Sequence, residues 1–75
     1  MYSIDTVATS ERIKGLMKEK NISAKSMAEN LGLSVSAIYK WMNGSSLPSY
    51  ELAEDLVDLF ELNRIEDLIV LKKSE

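Results

Sequence analysis

The stretch Ser23 to Gly44, SAKSMAENLGLSVSAIYKWMNG, leaves the backbone few choices. Two short runs of helical periodicity, Ala24 to Leu31 and Val35 to Met42, are each preceded by a serine. A hydroxyl there accepts a hydrogen bond from an otherwise unpaired N–H of the first helical turn, so Ser23 and Ser34 are expected N-caps. Between the runs, Gly32 can take the left-handed conformation that ends a helix, and Leu33 can fill the gap between the two axes. Ala28 is small where the helices must approach closely, and Met27, Leu31, Leu33, Ile38 and Trp41 fall on the inward faces. The spacing predicts two short helices locked across a tight turn.

Such a pair is a helix-turn-helix motif, whose second helix is the one offered to a DNA major groove. The wider run ERIKGLMKEKNIS, MAENLGLSVSAIYKWMNG and LPS resembles the DNA-binding domain of the Cro and phage-repressor (XRE) type. The likeness extends from about Glu11 to Leu68, and AxxLGLS, IxxW, NG and the later PS carry it. It implies an all-α, five-helix lambda-repressor-like domain with a double-stranded DNA operator as partner.

A chain of 75 residues is expected to form a single domain over 1–75, near the lower limit for a self-sufficient core, without room for a separate sensing domain. Without cysteine, neither disulfides nor thiolate metal sites can form, so stability must come from helix packing or a partner chain. No apolar run approaches the roughly 20 residues that span a bilayer, and the N-terminus lacks a signal-peptide core. A soluble, cytoplasmic protein is the expectation. The absence of histidine, cysteine and a glycine-rich phosphate loop argues against an enzyme, and neither a cofactor nor a small-molecule ligand is expected.

The net charge of −3 is unusual for a nucleic-acid binder. Its distribution is polar, however. Residues 1–44 hold six basic and four acidic side chains, whereas 45–75 hold three basic and eight acidic ones. The basic end is the one with the helix-turn-helix, although a local +2 is a weak electrostatic footprint.

Five helices are predicted, over 6–20, 24–31, 35–42, 50–60 and 64–72, with Met1 to Ile4 as a loose arm. The first, capped by Asp5 or Thr6, carries Ile13, Leu16, Met17 and Val7 on its apolar face, leaving Arg12, Lys14 and Lys18 on a solvated one, with phosphate contact by one or two of them as the alternative. The fourth follows Pro48 with Ser49 as its cap, buries Leu52, Leu56, Leu59 and Phe60, and exposes Glu51, Glu54, Asp55, Asp58 and Glu61. Those carboxylates read as a solvated face rather than a metal site, for want of histidine or a calcium-loop pattern. Asn63 and Glu66 resemble a capping box for the fifth. Its apolar surface is too broad for one core contact: Ile65 and Leu68 can close the domain, and Ile69, Val70 and Leu71, with Val57, form a candidate homodimer surface.

On the second helix of the motif, Val35, Ser36, Tyr39 and Lys40 face outward, because Ile38 and Trp41 must face in. Lys40 can donate to guanine O6 and N7, Ser36 can bond to either kind of base, Val35 can pack on a thymine methyl, and Tyr39 can reach a phosphate or a base edge. Candidate phosphate contacts are Lys25, Ser34, Asn43, Ser45 and Ser46, the loop Asn43–Ser46 taking that role by the resemblance, through backbone N–H groups and short side chains. Two departures from the family pattern stand out. Relatives place a phosphate-binding glutamine at Ala24, and an arginine–glutamate ion pair at Met17 and Met42. Replacing both members of a buried pair by apolar residues is often neutral or stabilising, so Met17 and Met42 are expected to touch. A palindromic operator bound by a dimeric transcriptional regulator is the function this implies. The alternative is a protein-interaction module that keeps the fold without base reading, which the negative charge, Ala24 and Val35 favour.

Overall fold

The computed structural model describes residues 1–73. Four helices, α1 (Thr6–Lys20), α2 (Ala24–Leu31), α3 (Val35–Met42) and α4 (Tyr50–Leu59), are framed by two short strands, β1 (Tyr2–Ile4) and β2 (Leu71–Lys73). Each helix starts on a side-chain oxygen. Asp5 accepts from the Ala8 N–H at 2.9 Å, Ser23 from Ser26 at 3.0 Å, and Ser34 and Ser49 from Ala37 and Leu52 at 3.3 Å each. These bonds satisfy donors that the helical pattern leaves orphaned.

The helix ends are equally specified. Gly32, at φ 69°, turns the chain out of α2, and the Leu33 N–H then bonds to the Ala28 carbonyl at 2.9 Å. Asn21 does the same for α1 at φ 57°, a conformation that asparagine tolerates better than most side chains. Ile13, Met17, Met27, Ala28, Ile38, Trp41, Ala53, Leu56, Phe60 and Leu68 make one buried core, to which every helix contributes. Among the described residues no helix is long and apolar enough to cross a membrane.

The C-terminal segment departs from expectation. In place of a helix over 64–72 there is one 3-10 turn, Ile65–Asp67, followed by β2. The expected loose arm is β1, paired antiparallel to β2 with Tyr2 opposite Lys73, Ser3 opposite Lys72 and Ile4 opposite Leu71. The capping box also sits one residue later: the Asp67 carboxylate accepts from the Arg64 N–H at 3.2 Å. An apolar run such as Ile69-Val70-Leu71 fits a helix or a strand by periodicity alone, and its β-branched members favour extended backbone. Long-range partners decide the matter. Val70 gives its N–H to Thr9 Oγ1 at 3.0 Å and takes the Asp5 N–H at 2.8 Å, bonds unavailable to an autonomous helix. Arg12 adds a bond from Nη1 to the Asp67 carbonyl at 3.0 Å. Residue 60 also moves out of the fourth helix: Phe60 is its C-cap and is fully buried.

Thr9 is wholly buried, so removing its oxygen strands the Val70 N–H. Thr9→Val is expected to lower stability by about 1–3 kcal/mol in urea unfolding and to speed amide exchange at Val70. Unchanged stability would show that the clasp contributes nothing.

Candidate nucleic-acid interface

Ile38 and Trp41 anchor α3 from beneath, at 0% and 4% exposure. Their burial sets the helix's rotation, and Val35, Ser36, Tyr39 and Lys40 are consequently all exposed on the outer side. Val35 is 37% exposed and Tyr39 54%. Lys25 is exposed in the first turn of α2. Ser34 uses its oxygen as the α3 cap, which leaves its hydroxyl hydrogen available to an outside acceptor.

The loop after α3 is organised differently from expectation. Ser45 and Ser46 direct their backbone N–H groups to the Lys40 carbonyl at 3.0 and 3.3 Å, and Ser45 also bonds to Asn43 Oδ1 at 2.9 Å. Donors expected to face a phosphate are therefore engaged inside the turn. What the loop offers outward is the serine hydroxyls and the Asn43 amide group. Gly44, at φ 80°, closes α3 against α1, where an added Cβ would lie 3.4 Å from Ser10 Oγ.

Beside α3, a basin of about 470 Å3 is lined by Lys14, Met17 and Lys18 from α1, Ser23, Ala24 and Ser26 at the start of α2, and Tyr39 and Met42 from α3. Met17 and Met42 thus line one depression, with Ala24 beside them. Lys14 and Lys18, read from periodicity as part of a solvated face, stand at this basin next to Tyr39, so they join the same surface. Only the packing of α1 on α3 brings them there. Arg12 lies outside the basin, and its Nη1 donates to the Asp67 carbonyl.

Acidic side chains collect elsewhere. Glu54, Asp55, Asp58 and Glu66 line a cleft between α4 and residues 63–66 that shares no residue with the basin. Among the described residues no cluster could hold a metal ion. Of the four residues singled out for a dimer surface, Val57 lines the acidic cleft, Ile69 and Leu71 line an apolar groove that shares Tyr50, Ile65 and Glu66 with it, and half-buried Val70 has its backbone bonded toward α1.

Met17 is 5% exposed, so a charge placed there needs a partner. Met17→Arg alone is expected to cost roughly 3 kcal/mol in chemical denaturation, and adding Met42→Glu to recover most of it. Two losses that simply added would mean that the side chains are too far apart to pair.

Residues 13–66 match a family model described as helix-turn-helix. No curated protein and no solved structure matches the chain. The matched segment runs from the core of α1 into the 3-10 turn, well over half of the sequence, and takes in both capped helices and the turn that joins them. The chain belongs to the helix-turn-helix DNA-binding family of the Cro and XRE type.

Proposed function

We propose that this protein is a sequence-specific transcriptional regulator that lays α3 in the major groove and occupies a palindromic operator as a homodimer. The observation that carries the reading is the outer side of α3, where four exposed side chains stand over the buried Ile38 and Trp41. A helix fixed from below needs no backbone ordering at binding, which leaves only the rotamer freedom of its outer side chains to be lost. Lys40 is assigned to guanine O6 and N7, Ser36 to a neighbouring base edge, and Val35 to a thymine methyl. Tyr39, beside Lys14 and Lys18, serves the flanking backbone.

Phosphates would be held by Lys25 and by the side chains of Ser34, Asn43, Ser45 and Ser46, with Lys14 and Lys18 as further cations. The twofold arrangement would set two copies of α3 one DNA turn apart, about 34 Å. Repression by occupancy follows, because a bound dimer excludes polymerase from the same DNA. A cytoplasmic location suits that role. The rival reading, an interaction module without base reading, draws on the net charge of −3 and on the engaged backbone donors of the Asn43–Ser46 loop.

Anisotropy against a random-site DNA pool, followed by titration of the selected site at two salt concentrations, separates the readings. The regulator should bind its site about 10³-fold or more tighter than random DNA, with affinity falling steeply as salt rises. Lys40→Ala should cost about 1–3 kcal/mol and relax preference at one base position. Equal binding to every sequence, or none, favours the interaction module.

A further inference from the structure

The basin beside α3, about 470 Å3, falls within the roughly 300–1,000 Å3 of pockets that hold small molecules. Nothing in the sequence announces it, since its lining is spread from Lys14 to Met42 over three helices. Its floor is apolar: Met17 is buried, and Ile22, Ala24 and Met42 are half-buried. Lys14, Lys18, Asn21 and Tyr39 make an exposed, polar rim, and among the described residues that line the basin none is acidic.

The rim side chains are available to a ligand. Among the described residues, Lys18, Asn21 and Tyr39 enter no side-chain hydrogen bond or ion pair. Lys14 has one contact, with Glu11 at 3.7 Å, between exposed groups whose attraction is weak in water. Two cations with no carboxylate on the basin wall favour an anion there.

DNA alone does not account for the floor. A phosphodiester engages the cations at the rim and offers nothing to two thioethers, an isoleucine and a methyl group beneath them. An apolar floor under a cationic rim is matched by a flat apolar body that ends in an acid. Methionine suits such a body, because its flexible, polarisable thioether packs against the edge of an aromatic ring. Tyr39 supplies an aromatic wall on which a second ring can stack with an offset.

We infer that the basin binds a small aromatic molecule carrying one acidic group, its ring over Met17, Ala24 and Met42 and its charge held by Lys14 and Lys18. Bound there, the molecule occupies the two lysines and the tyrosine that serve the DNA backbone, so it competes with the operator. That competition rests on the function proposed above, whereas the binding itself does not. Aromatic carboxylates and aromatic phosphates share the required chemistry and differ only in the acid.

The methionines of the chain, four in number, report on the site directly. In the full-length protein with isotope-labelled methionine methyl groups, indole-3-acetate and adenosine monophosphate represent the two acids. Neutral indole represents the ring alone, and inorganic phosphate the anion alone. At least one aromatic anion should move the Met17 and Met42 methyl signals in a saturable way, while Met27, wholly buried in the core, stays in place. Indole and inorganic phosphate should bind roughly tenfold more weakly or worse. Lys18→Gln should weaken the aromatic anion about tenfold. Ala24→Leu, which fills the floor, should abolish the shifts, with an unmoved Met27 signal showing that the fold persists. At about ten times its Kd, the molecule should lower affinity for the selected DNA site about tenfold. Silent Met17 and Met42 methyls with both aromatic anions, or an equal response to phosphate alone, overturn the site. Saturable shifts with undiminished DNA affinity overturn the competition. The methyl shifts are read without DNA, so they decide the site whether or not α3 reads an operator.

Discussion

Burial of Ile38 and Trp41 under α3 is the constraint on which the rest depends. The helix is short, and isolated helices of this length do not hold their shape in water, so its form and rotation come from packing. α2 packs on α3 with Ala28 buried, and α1 supplies Ile13 and Met17, each at 5% exposure or less. With the inner side filled, Val35, Ser36, Tyr39 and Lys40 have nowhere to turn but outward. Ser34 secures the start of the helix, and the loop that closes on the Lys40 carbonyl secures its end.

Charge divides the molecule in the same sense. Lys14 and Lys18 flank the basin beside α3, whereas the carboxylates of α4 and Glu66 gather in a cleft with no residue in common with it. A surface with so few cations gains little from counterion release, so side-chain complementarity to bases must supply more of the affinity than in a strongly basic domain. The amides of Ser45 and Ser46 are engaged on the Lys40 carbonyl, and Ala24 offers no polar side-chain group at the start of α2. What remains on the outside is a lean set of short hydroxyls, one tyrosine and several lysines.

The motif was legible because its determinants are local. Serine caps, Gly32 and the apolar spacing act within a few residues, and α1, α2 and α3 fall on 6–20, 24–31 and 35–42 as the sequence predicts. The C-terminal segment was not legible for the opposite reason. Val70 is extended because Thr9 and Asp5, far away in the chain, accept and donate to it. Nothing within 64–72 announces those partners. The same holds at the surface: periodicity places Lys14 and Lys18 off the apolar face of α1 but cannot say that α3 lies alongside. Helix bounds and the outward side of each helix could be read from the sequence, and surfaces assembled between elements could not.

The central claim is that α3 meets DNA with its outer side. Titrating the isotope-labelled protein with its selected DNA site and following backbone amide shifts tests this most directly. Shifts should concentrate from Ser34 to Ser46 and at the start of α2, leaving the acidic side of α4 unmoved. Perturbation centred on α4 and residues 63–66 instead, with Ser36, Tyr39 and Lys40 silent, would contradict it.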